Sequence, residues 1–546
     1  MSQEYKLKGL TSVSLQPGEM QEVEVEGVEG GKVLLVNSAG STQALGTKCT
    51  HYGAPMVKGV LTKSGRLTCP WHGACFSAKT GDVEDAPALD ALPVFKVSER
   101  DGAVYITGDE ATIKSGKSKP SFRCRVASRS KPQEHKVVVV GGGSGALGVV
   151  EGLRENGYDG ALAVISSEGY LPVDRPKLSK ALTTDPDKIA WRDEGWYESA
   201  AVDMIADEVT GVDFAGRVVH TKAGQDVSYT RLVLATGGTP RRLPLEGFKD
   251  LENIFTLRTV HDTREIVEAI GDKGKKIVVV GSSFIGMEVA KATSSGNTVS
   301  VVGMEKVAME RVLGEQVGTV LQKGIEALGV KFYMSASVSK AEPSASDPSK
   351  VGAVLLKDGT RLEADLVILG VGVAPATAYL RDNKAMTLEK DGSVAVDEKF
   401  AVRGLENVYA VGDIATYPYH GPGGGGRPTR IEHWNVAQNA GRTVSRAITH
   451  PAEPHTPFIP VFWSALSAQV RYCGNGSVGW DDVVVQGDTG AGKFVAYYCS
   501  GETVVAMVSM GRDPAMVKSS ALMLEGKMPS KTELAGGLDV LTVGLN

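Results

Sequence analysis

With 546 residues the chain exceeds what one hydrophobic core organises, so three or four domains are expected. A formal charge of −5 and an isoelectric point near 6.1 remove any whole-chain reason to expect nucleic acid or an anionic membrane as partner, and no run nears the roughly twenty apolar residues of a membrane-spanning helix. Six scattered cysteines exclude a disulfide scaffold and fit a reducing compartment, the cytoplasm first and the mitochondrion as the alternative.

Met1 to Leu10 sets Glu4 beside Lys6 and Lys8 with no apolar or Arg-rich amphipathic pattern, so no leader is expected there. Residues 1–110 alternate short β-prone runs with glycine turns and are expected to form a small all-β domain. Inside it stand Cys49-Thr-His51 and, after seventeen intervening residues, Cys69-Pro-Trp-His72. Two thiolates for one iron and two imidazoles for the other is the ligand set of a Rieske [2Fe-2S] centre. A tetrahedral zinc site takes the same residue types, but zinc fingers place both Cys before both His, and here they interleave. The imidazole N–H groups of His51 and His72 are expected to face solvent. The two loops closely resemble Rieske ferredoxin-type loops. High-potential respiratory Rieske proteins add a cysteine pair at the positions held here by Ala54 and Trp71, so the resemblance implies a lower-potential centre.

Residues 111–136 carry eight Lys or Arg against one acid, Glu134. Residues 111–135 read as a basic flexible linker, able to span roughly 80 Å when extended. The sequence therefore leaves the docking of the cluster open.

The chain then changes class. Lys136–Val140 is a buried-strand run, Gly141-Gly-Gly143-Ser-Gly-Ala146 a glycine turn, Leu147 to Gly157 a helix, and Ala161–Ile165 a strand ending near Glu168. This is a dinucleotide-binding βαβ unit, with pyrophosphate at the helix N-terminus and the acid on a ribose hydroxyl. The pattern repeats about 140 residues on: Lys276–Val280, Gly281-Ser-Ser283-Phe-Ile-Gly286, a helix, then Thr298–Val302 ending beside Glu305. Ser283 departs from the pattern, since a Cβ there crowds the pyrophosphate. Glu305 would repel a 2′-phosphate, which favours NADH over NADPH, with Lys306 as the contrary sign.

Leu232-Val-Leu-Ala-Thr236-Gly237-Gly, Leu366 to Pro375 and Asn407-Val-Tyr-Ala-Val-Gly-Asp413 resemble internal motifs of flavoproteins in which an NAD(H)-binding domain is inserted in the FAD domain. Asp174-Arg175-Pro-Lys-Leu-Ser-Lys180, Leu257-Arg258-Thr259, Arg430-Ile-Glu432-His433-Trp434 and Val461-Phe-Trp463-Ser464 narrow the resemblance to the apoptosis-inducing factor and oxygenase-coupled ferredoxin reductase group. It implies FAD contacts from Arg175, Lys180, Arg258, Asp413 and Trp463, with Thr236, Gly237 and His433 also at the cofactor. It places Glu288, Glu305, Gly372 and Glu432 near the nicotinamide nucleotide, and gives Lys180 and Glu288 the catalytic positions. The implied fold is multidomain. An all-β Rieske domain precedes nested Rossmann-like domains, FAD-binding in 136–258 with 395–450 and NAD(H)-binding in 259–394. An α+β interface domain follows in 451–546.

No cysteine lies between Cys124 and Cys473, so a flavin here has no dithiol to reduce. The expected cofactors are a [2Fe-2S] cluster, FAD and NAD(H), and the expected route runs from NADH through FAD and the cluster to an unidentified one-electron acceptor. Monomer and homodimer stay open. An oxygenase would need a His/His/carboxylate iron, and only His450 and His455, in a proline-rich turn, come close. The resemblance keeps a second class open, a redox-responsive signalling or cell-death factor with incidental turnover.

Overall fold

The computed structural model describes residues 3–38, 40–118 and 136–545. The first domain packs a six-stranded antiparallel sheet against a four-stranded one. Alternation along Lys32–Ser38 sends Val33 and Leu35 into one core and Leu34 and Val36 into another, so this strand is buried on both faces. The second core contains Leu45, Leu67 and Phe76 and underlies both metal loops. Glu110–Ser115, expected as linker, is instead a short helix: Asp109 caps its N-terminus, Gly116 ends it at φ 62°, and Ile113 is buried in the sheet. Residues 119–135 of the expected linker lie outside the described residues.

Two five-stranded parallel sheets follow. In the first the order is Val202–Ile205, Ala161–Ile165, Lys136–Val140, Arg231–Leu234, Val408–Ala410. In the second it is Ile254–Thr256, Leu366–Leu369, Lys276–Val280, Thr298–Val302, Lys331–Tyr333. Both are covered on both faces, which is why their strands read as unbroken Val/Ile/Leu runs. The second sheet interrupts the first between Leu234 and Val408, the nesting expected from the sequence. The crossing, however, is the two-stranded pairing of Gly238–Pro240 with Val373–Pro375. The inserted unit thus includes Ile254–Thr256, ahead of the expected boundary, while Leu380, Met386 and Val394, expected in it, pack in the first core.

Helix Ser144–Glu155 lies against Trp434–Thr449 at glycine distance. A Cβ on Gly148 would stand 2.2 Å from the Gln438 carbonyl oxygen, and one on Gly441 2.3 Å from that of Gly145. This close packing sets the entry angle of Trp434–Thr449 and so places His433 and Trp434 at the end of the glycine turn. The C-terminal domain is a five-stranded antiparallel sheet backed by helices Ala515–Leu524 and Lys531–Ala535. No helix among the described residues is long and apolar enough to cross a membrane.

Candidate functional site: two nucleotide cradles and a metal centre

The metal loops are built alike. The Cys49 amide donates to the Ala54 carbonyl at 2.8 Å, and the Cys69 amide to that of Ala74 at 2.8 Å. Each loop turns on a glycine of positive φ, Gly53 at 77° and Gly73 at 76°. The Cys49 sulfur accepts from the backbone amides of His51 and Tyr52, and the Cys69 sulfur from those of Trp71 and His72, bonds that favour thiolates. The Nδ1 atoms of His51 and His72 converge to 3.1 Å. Burial pushes the two imidazoles down to about 3 and about 2, so both are neutral lone-pair donors. No three His, Cys, Asp or Glu among the described residues close on one point, as a single ion needs. Two sulfurs on one side and two Nδ1 atoms on the other is the division a two-iron centre takes.

The first glycine turn lines a cavity of about 500 Å³. A Cβ on Gly141, at φ 114°, would meet the Ala235 carbonyl oxygen at 2.3 Å, whereas one on Gly143 would meet no protein atom within 4 Å. The space beside Gly143 is therefore open, at the N-terminus of a twelve-residue helix, where free amides and the helix dipole favour an anion. Glu168, Arg175, Thr236, Gly237, Arg258, Asp413 and His433 line the same cavity, and so does Glu432, which the resemblance places near the nicotinamide nucleotide instead. They are cross-braced: Arg175 binds Glu168 at 2.7 Å, Arg258 binds Asp413 at 2.9 Å, and Arg430 binds Glu432 at 2.6 Å. Ala146 sits buried beneath the turn.

Glu288 is buried and accepts three bonds, from the Lys180 ammonium at 2.9 Å and from the hydroxyls of Ser179 and Ser464. The Lys180 charge also bears on His433 and His72. At the second glycine turn a Cβ on Gly281 would meet the Gly370 carbonyl oxygen at 2.3 Å, and one on Gly286 that of Gly281 at 2.0 Å. Glu305 accepts from the Ser282 hydroxyl at 3.1 Å and pairs with Arg311 at 3.3 Å. Gly372 shapes the turn before Val373–Pro375, and its carbonyl accepts from the Arg241 amide at 2.9 Å. Lys180, Glu288, Gly281, Gly286, Glu305 and Gly372 are not among the residues that line the cavity of the first turn.

The metal loops are docked. Strand Val461–Ala465 alternates so that Val461 and Trp463 face the first domain while Ser464 faces Glu288. A Cβ on Gly73 would stand 3.2 Å from Val461. The Trp463 ring lies 4.1 Å from that of His72 and 5.2 Å from that of Trp434, which lines the large cavity. Trp191, Trp434 and Trp463 stand within 5.6, 6.2 and 5.8 Å of His51. The imidazole edges expected in solvent are thus turned inward: His72 is buried, and the Nε2 of His51 is buried with no hydrogen-bond partner among the described residues.

Three family models match in series, a Rieske [2Fe-2S] domain over residues 6–96, a pyridine nucleotide-disulphide oxidoreductase over 135–441 and a reductase C-terminal domain over 461–539. The chain belongs to the pyridine nucleotide-disulphide oxidoreductase family. Among its relatives, apoptosis-inducing factor 3 of Homo sapiens is 37% identical over 95% of this chain and 84% of its own length. The benzene 1,2-dioxygenase system ferredoxin–NAD(+) reductase subunit of Pseudomonas putida is 30% identical over 68% of this chain and 88% of its own. The covalent putidaredoxin reductase–putidaredoxin complex contains a chain 27% identical, with a TM-score of 0.68 over 74% of this chain and 96% of its own. This oxidoreductase takes FAD and NAD(H), and its Rieske domain a [2Fe-2S] cluster.

The family motifs point to the two cradles and the metal ligands but not to what joins them. Trp191, Tyr52, Arg192, Asn439 and Arg471 carry the docking, and each is an ordinary residue in its own stretch. The one signal available was the spacing of Asn435 and Asn439, four apart on an otherwise buried helix, where amides need partners.

Proposed function

We propose that this oxidoreductase takes hydride from NADH and passes the electrons singly, by way of FAD, to the [2Fe-2S] centre of its own chain and on to an external one-electron acceptor. A nicotinamide gives two electrons together, a flavin takes the pair and releases them one at a time, and a [2Fe-2S] centre accepts one. The observation that carries the reading is the contact of the His72 ring with Trp463 at 4.1 Å, within one further aromatic step of the large cavity. The reductase relatives are named for, or joined to, separate ferredoxins; in this reading the Rieske domain takes the ferredoxin's place within the chain.

The remaining roles fall to side chains. The Glu288 carboxylate, held by Ser179, Ser464 and Lys180, fixes the Lys180 ammonium where a flavin and a nicotinamide meet. The Arg258–Asp413 pair orients the acid toward the flavin's ribityl-phosphate side. Trp434 and Trp463 keep water out of the gap between cavity and cluster. Apart from the cluster ligands, Cys75, Cys473 and Cys499 are buried and free, which supports a reducing compartment, the cytoplasm in our reading.

Replacing Cys69 with Ser tests the order of events. The variant should lose the cluster's visible and EPR signals, keep its FAD, and show unchanged anaerobic flavin bleaching by NADH in stopped flow. Cluster reduction that precedes flavin bleaching in the unaltered protein, or that proceeds in FAD-free protein, overturns the route.

A further inference from the structure

The histidine edge of the cluster is closed off by the docking, and the docking is polar and buried. Arg192, held by Glu151 at 2.6 Å, donates to Asp90 at 2.8 Å and to the Leu89 carbonyl at 3.0 Å. Arg442 donates to the Val83 carbonyl at 2.7 Å. Asn439 accepts from the Ala86 amide at 2.8 Å, and Asn435 donates to the Ala86 carbonyl at 3.0 Å. Arg471, paired with Asp513, donates to the Trp71 carbonyl at 2.8 Å. Swinging the domain out to free His51 and His72 would break all of these at once, and bonds from charged donors are the stronger kind. The inward face therefore serves the flavin side, and an acceptor has to reach the cluster with the domain in place.

One ring touches a cluster ligand and solvent together. Tyr52 stacks on His51 at 3.8 Å and 15°, yet is 42% exposed. Its hydroxyl donates to the buried carboxylate of Asp174, which also holds Lys177, and the Lys177 ammonium lies 5.5 Å from the ring centre. From residue 30 to residue 81 the sequence contains no Asp or Glu, and Lys48 and Lys58, on either side of the first metal loop, are exposed. In a chain of net charge −5, the segment that carries Tyr52 is locally basic, and Lys177 adds a positive charge at the ring itself.

We propose that electrons leave the cluster across the Tyr52 face to an acidic one-electron carrier protein. The proposal rests on the reading above that the cluster carries electrons. Each transfer moves one electron from the reduced centre to the carrier's oxidised metal, with no bond made or broken. Lysines around Tyr52 attract and orient the carrier, and the ring fixed by Asp174 gives the short contact to His51.

The test isolates the exit step. The full chain with both cofactors, its cluster chemically reduced, is mixed in stopped flow with an acidic blue-copper protein or with a basic c-type cytochrome. At low ionic strength the acidic carrier should be reduced about tenfold faster, an advantage that shrinks as salt is raised. The Lys48→Glu/Lys58→Glu double variant should reverse the preference while leaving NADH-driven flavin bleaching unchanged. Tyr52→Ala, with the cluster spectrum intact, should slow exit to the acidic carrier severalfold. A basic cytochrome reduced as fast as the acidic carrier, or a preference untouched by charge reversal, overturns the proposal. Failure of the flavin-to-cluster route would show instead as NADH bleaching the flavin without reducing the cluster, and the exit step would still be measured from the chemically reduced centre.

Discussion

The two glycine turns share a backbone but not a vacancy. Gly141 and Gly281 have φ of 114° and 111°, and both need to be glycine because a carbonyl oxygen stands 2.3 Å from where a Cβ would be. The caps of the helices that follow are superposable, Gly143 at φ −89°, ψ −168° and Ser283 at φ −88°, ψ −173°. Such angles suit any residue, so the difference between Gly and Ser is not conformational. At Gly143 the protein leaves the Cβ space empty; at Ser283 a side chain fills it. The first turn lies in the deep cavity with charged pairs on all sides, whereas the second stands beside exposed Ile285 and Met304, the latter 68% exposed. A cradle that lets the backbone touch a pyrophosphate suits a resident cofactor, and one held off by a Cβ suits a nucleotide that must leave after every turnover.

Gly143→Val gives the largest effect. No protein atom lies within 4 Å of the new Cβ, so fold and melting temperature of the FAD-free protein should hold, while FAD affinity falls at least a hundredfold, about 3 kcal/mol. Flavin absorbance per chain after gel filtration measures it. Ser283→Val is the control, and should keep full flavin content. A Gly143→Val protein that retains FAD would remove the distinction between the two turns.

What was legible in the sequence follows the same division. Where chemistry dictates residue identity, single residues speak: thiolates and imidazoles at Cys49, His51, Cys69 and His72, and glycine where a carbonyl leaves no room for Cβ. Where only complementarity matters, they do not. Arg192 bonds a carboxylate 102 residues away and Arg471 a carbonyl 400 away, and no local pattern marks either. The helix Glu110–Ser115 was hidden because it buries one side chain, Ile113, inside a basic stretch that reads as a tether. The domain boundaries slipped for a related reason: the crossing strands Gly238–Pro240 and Val373–Pro375 are three residues each, too short for a periodic signal. The solvent-facing imidazoles were an error of context, since a Rieske tip is exposed only when nothing is docked on it.

A middle-sized effect tests whether the open cradle chooses its nucleotide. Glu305 ends the strand Thr298–Val302 side of the second unit, with one carboxylate oxygen on Ser282 and the other on Arg311. Glu305→Ala should lower kcat/KM for NADH about tenfold, and release of Arg311 beside Lys306 should leave NADPH unchanged or improved. Steady-state kinetics with both nucleotides decides, and an unchanged ratio would take Glu305 out of the nucleotide site.

The smallest effect should come from making the second turn like the first. Ser283→Gly removes the Cβ without changing the backbone angles that the residue already adopts, and Ser283 makes no side-chain capping bond that would be lost. The backbone can then approach the pyrophosphate as it does at Gly143, so the KM for NADH should fall about threefold, or roughly 0.6 kcal/mol. Tighter holding acts on the oxidised nucleotide too, so product inhibition by NAD+ should strengthen by a similar factor and kcat should not rise. Separately from binding, the added backbone freedom of glycine in the unfolded chain lowers thermal stability slightly. Initial rates at varied NADH, with and without added NAD+, read both constants. A KM unchanged within error would mean that Ser283 does not stand at the pyrophosphate, and that the exchangeability of the second nucleotide comes from the openness of its cleft alone.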